Sequence, residues 1–189
     1  MAASMLDEFR LVDLDQNDPM SRFFAREFGQ VRDEVIQLYP WHVFSKRAKL
    51  PALSDEPAFG WDFAYNLPSD CIRLLPLRVD GAFNGPAVAH EVEARQVLTN
   101  ASGPLPVRYL FRQTNMAKWP PLTARVLAAR LARYAATRVT GKESYFSKTD
   151  AEFKASMFEA MQSDSLERGT VETYTDGEDA FSVRGLTRY

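Results

Sequence analysis

The chain has 189 residues, a formal net charge of −2, 46% hydrophobic and 25% charged residues, the balance of a globular protein with a full core. Without a basic excess, tight phosphate binding through many neutralising contacts is not favoured, and no apolar run approaches the about 20 residues of a membrane-spanning helix. The start, MAASMLDEFR, has acidic residues where a signal peptide has a basic, then apolar, stretch, and the single Cys71 cannot form an internal disulfide, so synthesis in a reducing cytoplasm is expected.

Asp18-Pro19 reads as the N-cap and first residue of a helix. Met20, Phe24, Phe28, Val31, Val35 and Leu38 then recur at three- and four-residue steps as one apolar stripe, closed by Tyr39-Pro40. Trp41 to Lys46 is read as a short further turn, and Leu50 to Pro57 as irregular chain.

The period then changes. Phe59, Trp61, Phe63 and Tyr65 alternate with small or polar residues, which predicts a strand with one buried aromatic face. Ile72 and Leu74 take one phase and Leu75, Leu77 and Val79 the other, so a bulge or edge strand is expected beside Pro76. Val88 to Glu93 and Gln96 to Thr99 read as a hairpin turning at Ala94-Arg95. Ser102 to Pro106 is a turn cluster, and Val107, Tyr109 and Phe111 mark another strand. About five short strands without intervening helices predict an antiparallel sheet or small barrel.

Pro120-Pro121 opens a second helix running to Thr140, with Gly141 after its end and Ala124, Leu127, Ala128, Leu131, Ala135 and Val139 inward. A third, roughly Ser144 to Leu166, buries Phe146, Phe153, Met157 and Met161. After Gly169 the periodicity fails, and 170–189 is read as an extended tail, acidic at Glu172, Asp176, Glu178 and Asp179. The fold class expected is therefore α+β: a helical bundle from residues 1–50 and 116–168, a β insertion at 57–114, and a tail beyond the single domain 1–169.

Chemistry is sparse. His42, His90 and Cys71 are too few and too scattered for a tetrahedral zinc site, and no cofactor is expected. Cys71 with either histidine is a formal nucleophile and base, but among apolar strand residues a cysteine acts as a small hydrophobe. No phosphate loop, GxSxG elbow or HExxH occurs. Asp62 with Asp70, or Glu91 with Glu93, are conceivable carboxylate pairs, though acids alternating with apolar residues are mostly a strand's solvated face. Arg125, Arg130 and Arg133 fall within an arc of about 140° on the second helix. They read either as a basic strip meeting a neighbouring subunit's acidic surface or as an ordinary solvated face, with Arg138 and Lys142 complementing the helix dipole.

The stretch WDFAYNLPSDCIRLLPL, Trp61 to Leu77, resembles the signature of the phage head-to-tail adaptor family (tail tubular protein A-like connectors). The matching positions are Trp61, Tyr65, Leu67, Pro68, Asp70, Cys71, Arg73 and Leu74. Val31 to Leu50 resembles the family's helix followed by Pro-Trp, and His90 to Arg112 its hairpin followed by Gly-Pro-Leu-Pro-Val-Arg-Tyr. Leu122 to Thr140 resembles its first C-terminal helix. Ala94 stands where relatives often have glycine, and the last twenty residues do not match.

The resemblance implies a virion structural protein without enzymatic activity. It would form a homo-oligomeric ring, twelvefold by expectation, between the portal protein and the tail or next connector. Double-stranded DNA would pass through its channel without specific binding. The same part serves in a gene transfer agent. The segment 170–189 is then expected to order on docking to the portal or a neighbouring subunit, with Phe181, Val183, Leu186 and Tyr189 as anchors and Arg184 and Arg188 as charge partners. Two other classes remain open: a virion-carried cell-wall hydrolase using paired carboxylates, and a nucleic-acid module stacking bases on Trp61 and Tyr65.

Overall fold

In the computed structural model, which describes residues 19–81, 85–136, 138 and 143–167, the architecture is α+β. Helix α1 (Pro19–Leu38) is followed by strands β1 (Ser45–Leu50), β2 (Phe63–Asn66), β3 (Cys71–Leu74), β4 (His90–Glu93), β5 (Gln96–Thr99) and β6 (Leu105–Phe111). Helices α2 (Pro121–Ala135) and α3 (Glu143–Glu167) complete the order. The strands make two three-stranded sheets, β1-β6-β3 and β2-β5-β4, and close no barrel.

Two compact units emerge, where the sequence reading places one domain with a single insertion. The segment 68–75 and the chain from Arg108 belong with the helices; 48–67 and 76–107 form the second unit.

In the helical unit, Phe23, Phe24, Val31, Val35 and Ile36 of α1 join Trp41, Phe44, Leu110 and Trp119 in one core. The stripe holds except at its end: Ile36 is fully buried and Leu38 is exposed. The expected N-cap Asp18 and the Met20 side chain lie outside the described residues. A helix leaves its last four carbonyls without internal partners, and here the chain supplies two donors. The Trp41 indole donates to the Val35 carbonyl at 2.8 Å, and the Arg73 guanidinium donates to that of Gln37 at 2.9 Å. The Arg73 cation also sits favourably at the negative end of the helix dipole.

Helix α2 packs against both α1 and α3, so it is buried nearly all round: Val126, Ala129 and Ala132 are inward as well as Leu127, Ala128, Leu131 and Ala135. Its α-helical hydrogen bonding runs to Ala135, and Ala136 and Arg138 continue it as a π-helical turn. Val139, Thr140 and Gly141 lie outside the described residues. On α3 the fully buried line is Thr149, Ser156, Ala160 and Asp164, small and polar. Thr149 and Ser156 satisfy their hydroxyls on carbonyls of the preceding turn at 2.8 and 3.0 Å. The expected Phe146, Phe153, Met157 and Met161 pack at its flanks, half-buried. Asp164 accepts the His42 backbone N–H at 2.6 Å.

In the second unit, β5 pairs antiparallel with β2 on one side and β4 on the other. The period of two puts Tyr65, Val97 and Thr99 on one face, all fully buried, and Ala64, Leu98 and Glu91 on the other. The aromatic strand expected from Phe59 begins only at Phe63, and Phe59 is 87% exposed. Gly60, with φ of +83°, turns the chain before the strand can start. Strand β3 is an edge strand, as one of the two expectations had it, and its register shift falls between Cys71 and Arg73, ahead of Pro76.

The β4–β5 hairpin turns at Ala94-Arg95, with φ of +43° and +66°. Positive φ at both central residues is the type I′ geometry that matches strand twist, and it costs a side chain roughly 1 kcal/mol per residue. Ala94→Gly is therefore expected to raise stability by roughly 0.5–1 kcal/mol, less than the strain because glycine gains freedom in the unfolded chain. Urea denaturation checks this as a higher midpoint at unchanged slope.

Candidate functional site

The residues of the Trp61–Leu77 stretch are bonded into the frame. Tyr65, fully buried, donates its hydroxyl to the Ala101 carbonyl at 2.7 Å, and burial raises its pKa. Gly103 lies so close that a Cβ there would sit 3.1 Å from the Tyr65 ring. In the helical unit, Asp70 receives Lys46 Nζ at 2.7 Å on one oxygen and the Tyr109 hydroxyl at 3.1 Å on the other. The Lys46 hydrogen bond, reinforced by that of Tyr109, holds the Asp70 carboxyl below the usual carboxylate range. Lys46 also lies 4.1 Å above the Phe111 ring, and the Arg112 N–H closes on the Asp70 carbonyl at 2.8 Å. Arg112 reaches Asp33 of α1 at 2.7 Å. Cys71 is buried, as a packing residue would be.

An accessible concavity with mixed chemistry lies in the second unit. A groove of about 440 Å³ opens between the 53–61 segment and the Ala64–Leu98–Glu91 face of the sheet. Its acids are Asp55, Glu56, Glu91 and Glu93, and no lysine or arginine lines it. Two aromatic rings border it, the exposed Phe59 and the half-buried Trp61, whose indole donates to Glu91 at 3.3 Å. An exposed aromatic beside clustered carboxylates suits a cationic, partly apolar guest, through cation–π contact and charge-assisted hydrogen bonds.

The three arginines of α2 find partners within the chain. Arg125 bridges Glu152 and Glu159 of α3 at 2.7 and 3.0 Å, and Arg133 meets Asp150 at 2.7 Å. Arg130 reaches Glu34 of α1 at 3.4 Å and lies 5.1 Å from the Phe153 ring. Within the chain these arginines are ion-paired to α1 and α3 rather than left as a plain solvated face. These cations cover the half-buried aromatic flanks of α3, and that packing uses their stems as well as their charge.

His42 and His90 are engaged locally, His42 through its backbone N–H to Asp164 and His90 through Nδ1 at 2.8 Å from the Val88 carbonyl. Among the described residues no group of three or more His, Cys, Asp or Glu is placed to hold a metal ion. No described helix is long and apolar enough to cross a membrane. The tail residues Phe181, Val183, Arg184, Leu186, Arg188 and Tyr189 lie outside the described residues. Helix α3 leaves Phe158 and Leu166 exposed at 62% and 83%, with Ala151 and Ala155 in the same helical line.

No family model matches this chain, and no curated protein matches it either. The groove escaped the sequence reading because Asp55 and Glu56 sit in a segment without periodicity and Phe59 fits the phase of a strand. The signal available was local: a Ser-Asp-Glu-Pro run followed within a few residues by Phe-Gly.

Proposed function

We propose that the chain is the head-to-tail adaptor of a tailed phage or gene transfer agent particle. Copies close into a ring, twelve by expectation, that docks on the portal protein and receives the tail or next connector in the neck of the virion. The genome leaves through the ring without being held. The role is structural rather than enzymatic.

The observation that carries this reading is that the separated stretches resembling the adaptor family bond to one another. Asp70 and Tyr109, Arg73 and the Gln37 carbonyl, and Tyr65 with Ala101 and Gly103 each join two of them. The stretches that carry the resemblance thus meet within each unit, as the parts of a shared fold would. Phe158 and Leu166, exposed on either side of Gln162 on α3, are apolar side chains of the kind that a side-by-side, heterologous interface covers.

The alternatives are weakened at two points. As a hydrolase pair, Asp62 with Asp70 fits poorly, because Asp70 is held ionised and paired, a poor proton donor for glycoside cleavage. A base stacked on Trp61 would bring its phosphate toward Glu91 and Glu93, which repel it.

The test is co-purification with the portal protein from the same genome. Portal and chain are expected to elute together at equal copy number or in a fixed ratio. Portal eluting alone, with the chain folded by circular dichroism, would overturn the proposal.

A further inference from the structure

We infer that the acidic–aromatic groove of the second unit is the receptor for the segment Phe181–Tyr189 of a second copy of this chain. The groove presents Asp55, Glu56, Glu91 and Glu93 with no base among its lining residues, and Phe59 stands 87% exposed at its rim. A guest must therefore bring positive charge and apolar side chains together.

Of the terminal segments outside the described residues, the one that brings the most positive charge together with apolar side chains is at the end of the sequence. Phe181–Tyr189 carries Arg184 and Arg188, no acid, and Phe181, Val183, Leu186 and Tyr189. The other candidate, residues 1–18, carries Asp7, Glu8, Asp13, Asp15 and Asp18 against Arg10 alone, and the groove would repel it. An arginine plane laid on Phe59 or Trp61, with its nitrogens on Glu91 or Glu93, satisfies both halves of the chemistry. The acids at Glu172, Asp176, Glu178 and Asp179 fall before the segment, outside the part that enters.

A subunit that gives its end to one neighbour and receives another's makes a heterologous contact that repeats, the kind that forms a ring where its rotation closes. This inference rests on the proposed adaptor ring only in assigning the segment to a second copy rather than to the same chain.

Site-directed cross-linking in the full-length chain tests it. Ala58→Cys places a thiol on the exposed wall of the groove, and Ser182→Cys places one within the segment; the native Cys71 is buried. Mixed under mild oxidation, the two single variants are expected to give Ala58–Ser182 position cross-linked dimers in large excess over either homodimer. Raising the salt to about 0.5 M, where charges are screened within a few ångströms, should lower the yield by roughly tenfold. Glu91→Lys with Glu93→Lys should do the same, and adding Arg184→Glu with Arg188→Glu to the partner chain should restore it.

No excess of the mixed dimer overturns the inference, as does a yield indifferent to salt and to charge reversal. Cross-linking confined to single chains that carry both cysteines also overturns it, because the segment then fills its own groove. Portal co-purification is run on the same variants. Portal binding without mixed dimers defeats this inference alone, whereas mixed dimers without portal binding defeat the adaptor reading and leave this one standing.

Discussion

Trp41→Ala is expected to lower stability by about 3–5 kcal/mol, a large fraction of what a domain of this size possesses. Trp41 is fully buried, packs edge-on to Tyr39 at 4.9 Å, and is the donor that satisfies the Val35 carbonyl at the end of α1. Truncation opens a cavity in the core and strands a buried acceptor together. Trp41→Phe separates the two contributions, because it keeps an aromatic ring but removes the indole N–H. Its expected cost is about 1–3 kcal/mol, that of an unsatisfied buried group plus modest volume loss. Guanidinium denaturation followed by circular dichroism measures both. Equal losses for the two variants would mean that the hydrogen bond, rather than the packing, dominates at this site.

The second large effect is alkaline. Tyr109 is buried, and burial together with its hydrogen bond to Asp70 pushes its pKa from 10.0 up to about 12. The folded value lies above the unfolded one, so this contribution to stability is fully present below pH 10 and is lost as pH rises through about 12. At about 1.4 kcal/mol per pKa step, the loss over two steps is on the order of 3 kcal/mol. Tyr109→Phe cannot ionise. It should be less stable than the parent at pH 9, and the difference should shrink or reverse by pH 11.5. A constant difference across that range would show that Tyr109 does not titrate with folding.

Asp70 works in the opposite direction. Its carboxyl is held low chiefly by Lys46, so its contribution is present above the unfolded carboxylate pKa of 3.8 and fades as pH falls below that value. The side chain is about one-third exposed, so solvent weakens the effect. Asp70→Asn should flatten the acid limb of the stability curve and, by removing the carboxylate that helps raise the Tyr109 hydroxyl, move the alkaline loss to lower pH.

The helices were legible because their apolar periods are long and their ends are marked. Pro19 and Pro121 open α1 and α2, and the Tyr39-Pro40 break follows α1. The hairpin turn at Ala94-Arg95 was also legible, since alternation on either side leaves two residues over. Strand β1 was not. SKRAKL has no β-branched or aromatic residue, and it lies at a sheet edge, where lysines are favoured and propensity matters little.

The partners of Arg125, Arg130 and Arg133 were hidden for another reason. A helical wheel shows which residues share a face, but not that α3 and α1 both cover that face with carboxylates. The groove was hidden because its acids come from two places, Asp55 and Glu56 in a loop and Glu91 and Glu93 on β4, brought together only by folding. On β4 alone those glutamates read as a solvated strand face.

The central claim is that this chain caps a portal as a ring. Electron microscopy of the purified chain mixed with its portal protein tests that directly. The account predicts a closed ring coaxial with the portal and one subunit deep, absent from portals imaged without the chain. Bare portals beside dispersed, folded chains would contradict it.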